Sequence, residues 1–456
     1  MIFIFHAIIF NERRGSFMKY TFKGGYHPPD GKSFSEKMPI EKMPAPKVAA
    51  IHLHQHIGAP SKAIVAVGDE VKVGQPLSEA GGFVSVPVHA SISGKVKAIA
   101  KITDAAGNKS DAVVIENDGR DEMYEGVGHK TEYSGFTADE IRKKIAAAGV
   151  AGMGGARFPT HVKLSPPADK KIEYIILNGV ECEPYLTADD RLMQESPDTI
   201  IEGLKLIMKA VNAPEGIIGI EKNKPDSIKI MREKTASEKN IKVVELEVKY
   251  PQGGEKQLIN AVTGREVPSG KLPMDVGVVV SNVGTANAVY EAVALNKPFY
   301  ERVVSVTGES ISSPKNVLAR IGTPTSELIE YAGGVKEDVY KIINGGPMMG
   351  AAMYALDAPV HKGTSGILCL SRTNAAVYEE HACISCGKCV SVCPMKLLPT
   401  DIQLNVQHGK YEEAEKLGIL DCMLCGTCAY VCPAKRNLVH YFNVGKAKIA
   451  EMKRKK

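Results

Sequence analysis

The chain has 456 residues, of which 24% are charged, with a net charge of +5 and ten cysteines. That length suits three or four domains, each with its own core, and so small a positive excess does not call for nucleic acid. No stretch approaches the roughly eighteen apolar residues of a spanning helix, so no direct membrane span is expected.

Residues 1–10 are apolar apart from His6. They lack a basic leading segment and a small-residue cleavage site, so residues 1–17 read as a dispensable extension, with Met18 the working start. Residues 18–125 form a first domain, β-rich and punctuated by Gly and Pro over 40–118. Within it, residues 67–77 and 90–96 resemble biotinyl and lipoyl carrier domains, which present a modified lysine on a hairpin tip. The intervening stretch 80–89 holds no lysine, so the sandwich is expected without the carrier chemistry. His52, His54 and His56 alternate at strand period and are expected to share one face; a metal site and a packed or solvated face are both open there.

Residues 130–300 read as an α/β domain. Thr137-Ala138-Asp139-Glu140 is a capping box that opens a helix over 138–148, and 171–177 reads as a buried strand. Ser196-Pro197 starts a helix with the stripe Ile200, Ile201, Leu204, Ile207, Met208 and Val211. A strand over 217–220, a helix after Asn223-Lys224-Pro225 and a strand over 243–248 continue the alternation, which predicts a largely parallel sheet.

Three loops in this domain carry chemistry. Gly152-Met153-Gly154-Gly155-Ala156-Arg157-Phe158-Pro159-Thr160 follows a helix and does not keep the G-x-G-x-x-G spacing, so it is no Rossmann fingerprint. Its bare amides can still make an anion nest, to which Arg157 or Lys163 adds charge; a plain structural turn is the other reading. Asn178-Gly179-Val180-Glu181-Cys182-Glu183-Pro184 follows a strand, where α/β ligand sites lie. Tyr250-Pro251-Gln252-Gly253-Gly254-Glu255-Lys256-Gln257 follows a strand and opens a helix, a position that suits phosphate.

Residues 301–350 read as a small α+β module of short strands. Residues 375–442 contain eight of the ten cysteines. Cys383, Cys386, Cys389 and Cys393 form one C-x2-C-x2-C-x3-C-P run, and Cys422, Cys425, Cys428 and Cys432 form another. This is the run that two-cluster ferredoxins use for [4Fe–4S] cubanes, the last cysteine of each run reaching the other cluster. By that rule Cys383, Cys386, Cys389 and Cys432 hold one cluster, and Cys422, Cys425, Cys428 and Cys393 the other. Zinc knuckles would leave half of each run unexplained. A helix over 404–417 is expected between the runs. The last stretch, 443–456, reads as a basic tail with Lys446, Lys448, Lys453, Arg454, Lys455 and Lys456, solvated or in contact with anionic lipid or an acidic subunit.

The three loops, in this order, resemble the flavin-binding loops of the NADH-oxidising subunit of respiratory complex I. Together with Lys23-Gly24-Gly25-Tyr26-His27-Pro28-Pro29, Gln55-His56-Ile57-Gly58, the lipoyl-like domain, Gly345-Gly346-Pro347-Met348-Met349-Gly350 and the twin cysteine runs, they make the chain similar to the C subunits of Rnf ion-translocating electron-transport complexes. The resemblance implies a multidomain α/β and α+β fold: a lipoyl-like β-sandwich, a complex-I-like flavin/NADH-binding α/β domain, a soluble-ligand-binding β-grasp module at 301–350 and a two-cluster ferredoxin-like domain.

It further implies non-covalent FMN over Gly152, Gly154, Gly155, Arg157 and Lys163, with Asn178, Glu181, Glu183, Gly254, Glu255, Asn282 and Thr285 completing the pocket. NAD(H) would be the substrate, with single electrons passing through the first and second cluster. The partners would be membrane-integral and iron–sulfur subunits at the cytoplasmic face of the inner membrane, docked through the sandwich and the basic tail. A soluble flavin and iron–sulfur cobalamin reductase of a microcompartment, and an electron-relay adaptor with no working nucleotide site, are the alternatives.

Overall fold

A parallel four-stranded sheet carries the centre of the chain in a computed structural model that describes residues 20–455. The expected extension at 1–17 lies outside those residues. The strands stand side by side in the order Ile241–Leu246, Glu215–Glu221, Tyr174–Gly179 and Val278–Asn282. Counted along the chain this order is 3-2-1-4, so the connections diverge on either side of Tyr174–Gly179, and ligands of such sheets bind where they diverge. Apolar runs such as Ile175-Ile176-Leu177 are buried because helices cover both faces of the sheet.

The Pro197–Val211 helix buries all six residues of its expected stripe. The Ala138–Ala147 helix begins at the expected capping box, with the Thr137 side chain accepting from the Glu140 amide. The sheet strands differ from expectation by a few residues. Tyr174–Gly179 starts later than 171, because the polar Lys170-Lys171 pair precedes the apolar run.

The N-terminal sandwich has an antiparallel sheet in the order Val48–His52, Lys109–Asn117, Gly94–Thr103 and Glu70–Val71, plus a small pair, Lys62–Ala63 with Ser78–Glu79. Ile51, Leu77, Val88, Ile92, Val113 and Ile115 fill its core. The three histidines do not share a face. The strand ends at His52, which is buried against His361 at 4.5 Å between ring centroids, while His54 is exposed and His56 turns inward. The period-2 reading fails because the chain bends after His52.

The β-grasp module borrows from both sides of its expected limits. Its six-stranded sheet runs Ile40–Lys42, Lys315–Arg320, Glu301–Thr307, Gly366–Ser371, Val339–Asn344 and Ala351–Ala352, with the Thr325–Tyr331 helix packed on it. Ile40–Lys42 belongs to this sheet and not to the sandwich.

In the cluster domain the expected 404–417 helix is two helices, Pro399–Gln407 and Tyr411–Lys416. Gly409, at φ +69°, breaks the run between them. The basic stretch is no separate tail: the Leu438–Lys455 helix crosses residue 443 without a break and packs Phe442 and Ile449 into the cluster-domain core. Lys446 donates to the Cys422 carbonyl, and Lys453 pairs with Glu415.

Candidate redox site

At the divergence point of the sheet, Asn178 and Asn282 are register partners on adjacent strands. Both amides organise backbone around them. Asn178 donates to the Gly253 carbonyl at 2.8 Å and accepts from the Val180 amide, which joins two of the three loops. Asn282 caps the Val283–Ala294 helix by accepting from the Gly284 and Thr285 amides, and it donates to Asp189 at 2.6 Å. The Thr285 hydroxyl accepts from the Met153 amide at 2.9 Å and draws in the third loop.

That third loop is closed at its base by Gly152 donating to the Phe158 carbonyl, and residues 154–157 are exposed. Gly155 and Arg157 have φ of +73° and +55°, the alternation that turns successive amides to one side. Arg157 leans away over Gly363, where an added Cβ would fall 2.1 Å from its Cδ. Lys163 pairs with Glu255 at 2.6 Å, so two residues expected to line the pocket hold each other.

Glu181 and Glu183 are engaged by the protein. Glu181, at φ +45°, accepts from the Asp189 and Asp190 amides and so caps the Ala188–Glu195 helix. Glu183 accepts from the Met348 amide at 3.1 Å and the Tyr250 hydroxyl at 3.4 Å. Burial pushes both carboxyls up to about 7; for Glu181 the neighbouring Lys32 pulls the other way, and for Glu183 the Met348 and Met349 amides do.

Beneath this loop Lys32, 4% exposed, donates to the carbonyls of Glu181 (2.9 Å), Glu183 (3.0 Å) and Leu186 (2.6 Å). One ammonium has three donors and here satisfies three carbonyls. Burial, followed by the nearby Lys224, lowers its affinity for the proton.

The two cysteine runs fold alike. Ser385 and Leu424 both take left-handed backbone, as do Gly387 and Gly426, and Lys396 and Lys435. The Ser385 and Leu424 amides each donate to the thiol two residues earlier, at 3.4 Å. Burial raises the Cys422, Cys425 and Cys428 thiols, and Cys393, from the other run, adds to the rise at each of them. Cys432, of the second run, acts in the same way on Cys389 of the first.

Buried thiols such as Cys422, Cys425 and Cys428, raised by burial, need a cationic core before they can share a space as thiolates, so the donor set fits iron–sulfur clusters. No group of three or more His, Cys, Asp or Glu among the described residues is arranged around a metal ion. Cubane thiolates bind four separate irons and stand farther apart than the ligands of one ion.

The second run lies against the flavin-type domain. Tyr250, 1% exposed, donates to the Cys425 carbonyl at 2.8 Å. An added Cβ at Gly254 would fall 2.7 Å from Met423, and one at Gly426 3.0 Å from the Met348 carbonyl. In the first run, Cys383 and Cys386 are exposed.

The sequence gives Tyr250 no role of its own, and it does not point to Lys32 or Asp189. The only signal for Lys32 is its place a few residues after the Lys23–Pro29 motif. The exposed segment 154–156, whose largest side chain is the Ala156 methyl and which lies beside the strand-end Asn282, fits a flavin mononucleotide with its phosphate on the loop.

Four family models match the chain: the RnfC barrel sandwich hybrid domain at 20–120, the Nuo51 FMN-binding domain at 145–291, the SLBB domain at 303–352 and a 4Fe-4S dicluster domain at 382–435. The chain is 47% identical over 435 residues, 95% of its length, to the C subunit of the Na(+)-translocating ferredoxin:NAD(+) oxidoreductase complex of Acetobacterium woodii, and covers 98% of that protein. It is 49% identical to the C subunit of the proton-translocating ferredoxin:NAD(+) oxidoreductase complex of Clostridium ljungdahlii, covering 93% of each. To the C subunit of the ion-translocating oxidoreductase complex of Citrobacter koseri it is 43% identical, over 94% of this chain and 61% of that one.

Proposed function

Because the chain belongs to the family of C subunits of ion-translocating ferredoxin:NAD(+) oxidoreductase complexes, we infer that it is the NAD(H)-reacting, electron-relaying subunit of such a complex. When bound, FMN takes up the two electrons of a hydride and can release them singly, as [4Fe–4S] clusters require. The observation that carries this reading is the contact of Tyr250 with Cys425, which seats a cysteine run directly on the flavin-type domain.

The chain's residues divide the work. The 154–156 amides hold the flavin phosphate, with Gly152 closing the base of their loop and Gly254 opening the facing helix. Asn178, Asn282 and Thr285 fix the loops around the ring, Glu181 and Glu183 shape the acidic loop, and Lys163 and Glu255 tie the helix after the glycine loop to the one that Gly254 opens. Cys422, Cys425, Cys428 and Cys393 take the inner cluster. Cys383, Cys386, Cys389 and Cys432 take the outer one, whose exposed thiols face a partner. The second run therefore precedes the first in the relay, the reverse of chain order.

No helix among the described residues is long and apolar enough to cross a membrane. The chain attaches to the cytoplasmic face through membrane-integral subunits, and those subunits carry the ion. Anoxic purification with flavin, iron and NADH-dependent bleaching measured together tests the reading. Flavin and about eight irons per chain, bleached by NADH, are expected; clusters that NADH leaves oxidised would overturn it.

A further inference from the structure

The hairpin that carries a modified lysine in carrier domains carries Phe83 here, and it points at the chain's own flavin-type domain. Phe83 packs edge-on to His161, 6.2 Å between ring centroids at 85°, and His161 Nε2 lies 3.2 Å from the Phe83 carbonyl. His161 sits in the short Thr160–Lys163 helix that directly follows the glycine loop. Yet Phe83 is still 69% exposed, while every other phenylalanine among the described residues is at least half-buried.

The hairpin is held rigidly in that place. The Gln55-His56-Ile57-Gly58 motif, which the redox reading leaves without a task, does the holding. The Val86 amide donates to His56 Nε2 at 3.1 Å, and the Ala59 amide donates to the Val84 carbonyl at 3.0 Å. Gly58, at φ +112°, lets Val84 approach so closely that an added Cβ would lie 2.0 Å from its carbonyl oxygen. Gly81 is pressed as tightly on the Pro60 carbonyl and donates to the Ser85 hydroxyl.

A second fastening spans the domains. Lys362 Nζ, fully enclosed, donates to Pro87 at the root of the hairpin (3.0 Å) and to Gly149, three residues before the glycine loop (2.6 Å). Hairpin and loop are thus tied to one ammonium. A large aromatic ring kept in water, on a preorganised support and against the short helix that follows the exposed glycine loop, is suited to an anionic ligand with a flat ring. Stacking on it would cost little ordering entropy.

We propose that Phe83 forms the outer wall of the dinucleotide subsite and stacks on an aromatic base of NAD(H), whose pyrophosphate lies by the exposed 154–157 loop. This rests on the NAD(H) reading above. It gives the sandwich a task in substrate binding, in place of the lost carrier lysine.

The test is equilibrium binding of NAD+ to the flavin- and cluster-loaded full chain by calorimetry, with the KM and kcat for NADH oxidation by ferricyanide measured beside it. Phe83→Ala should weaken NAD+ binding roughly tenfold and raise KM, with kcat, flavin and iron unchanged. Phe83→Trp should bind as well as wild type, whereas Phe83→Leu, apolar but without a π face, should follow Ala. Val67→Ala, an exposed apolar residue on another turn of the same sandwich, should leave binding unaltered. Equal NAD+ affinity in wild type and Phe83→Ala would overturn the proposal while sparing the functional reading, as would a variant that binds NAD+ normally but fails to join its complex. No NAD+ binding by the wild type would remove both.

Discussion

Tyr250 and Cys425 are 175 residues apart and joined by a 2.8 Å hydrogen bond from the phenol to the backbone carbonyl. The same tyrosine pairs its backbone in both directions with Tyr26, whose ring lies 5.4 Å from that of Tyr430. The N-terminal segment around Tyr26, the flavin-type domain and the second cysteine run meet at this one residue. Short distances between redox centres depend on such junctions staying rigid.

Tyr250→Phe keeps the buried ring and deletes the hydroxyl, leaving the Cys425 carbonyl without that donor. A loss of about 1–2 kcal/mol in unfolding free energy is expected. Rapid-freeze EPR after NADH addition should show slower reduction of the inner cluster with flavin content unchanged. Wild-type reduction kinetics in the variant would show that the junction does not set the relay.

Under the crosswise assignment, Cys393→Ala should damage the cluster otherwise held by Cys422, Cys425 and Cys428, the thiols whose rise Cys393 adds to. Iron should fall towards half and one EPR signal should change. Because the inner cluster is the one lost, NADH should still bleach the flavin while the outer cluster stays oxidised. Damage confined to the first-run cluster would contradict the crosswise assignment.

Gly154→Val tests the flavin loop. An added Cβ there meets only Asn282, at an ordinary 3.5 Å, so the fold should tolerate the change and Gly154→Ala should be nearly silent. The valine methyls reach into the space above the amides. Protein with a full set of clusters and little flavin is expected, read by absorbance after anoxic gel filtration; full flavin in the valine variant would place the cofactor elsewhere.

Lys32→Met leaves three carbonyls of the acidic loop without their donor. Loss of charged hydrogen bonds of this kind costs about 3 kcal/mol or more. The loop carrying Glu181 and Glu183 should loosen, with weaker flavin retention and a shifted flavin midpoint potential. Lys32→Arg, which keeps the charge but not the compact head, should recover only part of the effect. An unshifted potential in the methionine variant would make Lys32 a mere packing residue.

What was legible in the sequence was local. The cysteine spacings, the capping box at Thr137 and the apolar stripe of Pro197–Val211 each lie within a dozen or so residues, where helix period and turn chemistry act directly. Asn178 was legible through its loop, whereas Asn282 came only through the family resemblance. Contacts made across the chain were not: Lys32 finds its carbonyls about 150 residues on, and Ile40–Lys42 pairs with Lys315–Arg320. Composition gives no signal for such partners. The three histidines misled because period 2 holds only while the strand lasts, and the strand ends at His52.

Glu183 gives a pH dependence whose sign can be worked out. Burial raises its carboxyl from the usual 4.5 to about 7 in the folded chain. Between those values the folded state keeps a proton that the unfolded state has released, so stability falls as pH rises through this window and levels off above it. Glu183→Gln carries no such proton. Its amide can still accept from the Met348 backbone and donate to the Tyr250 oxygen, so the local contacts persist. Wild type and variant should therefore have similar thermal midpoints near pH 5. By pH 8, where the wild type must carry a buried charge, the variant should be the more stable. Glu181 keeps its own proton in both proteins, so the wild-type-minus-variant infrared difference spectrum should show a protonated carboxyl band at pH 6 that fades by pH 8. A midpoint difference that stays constant with pH, with no band to lose, would mean that Glu183 is ionised throughout, and that the Met348, Met349 and Tyr250 donors outweigh its burial.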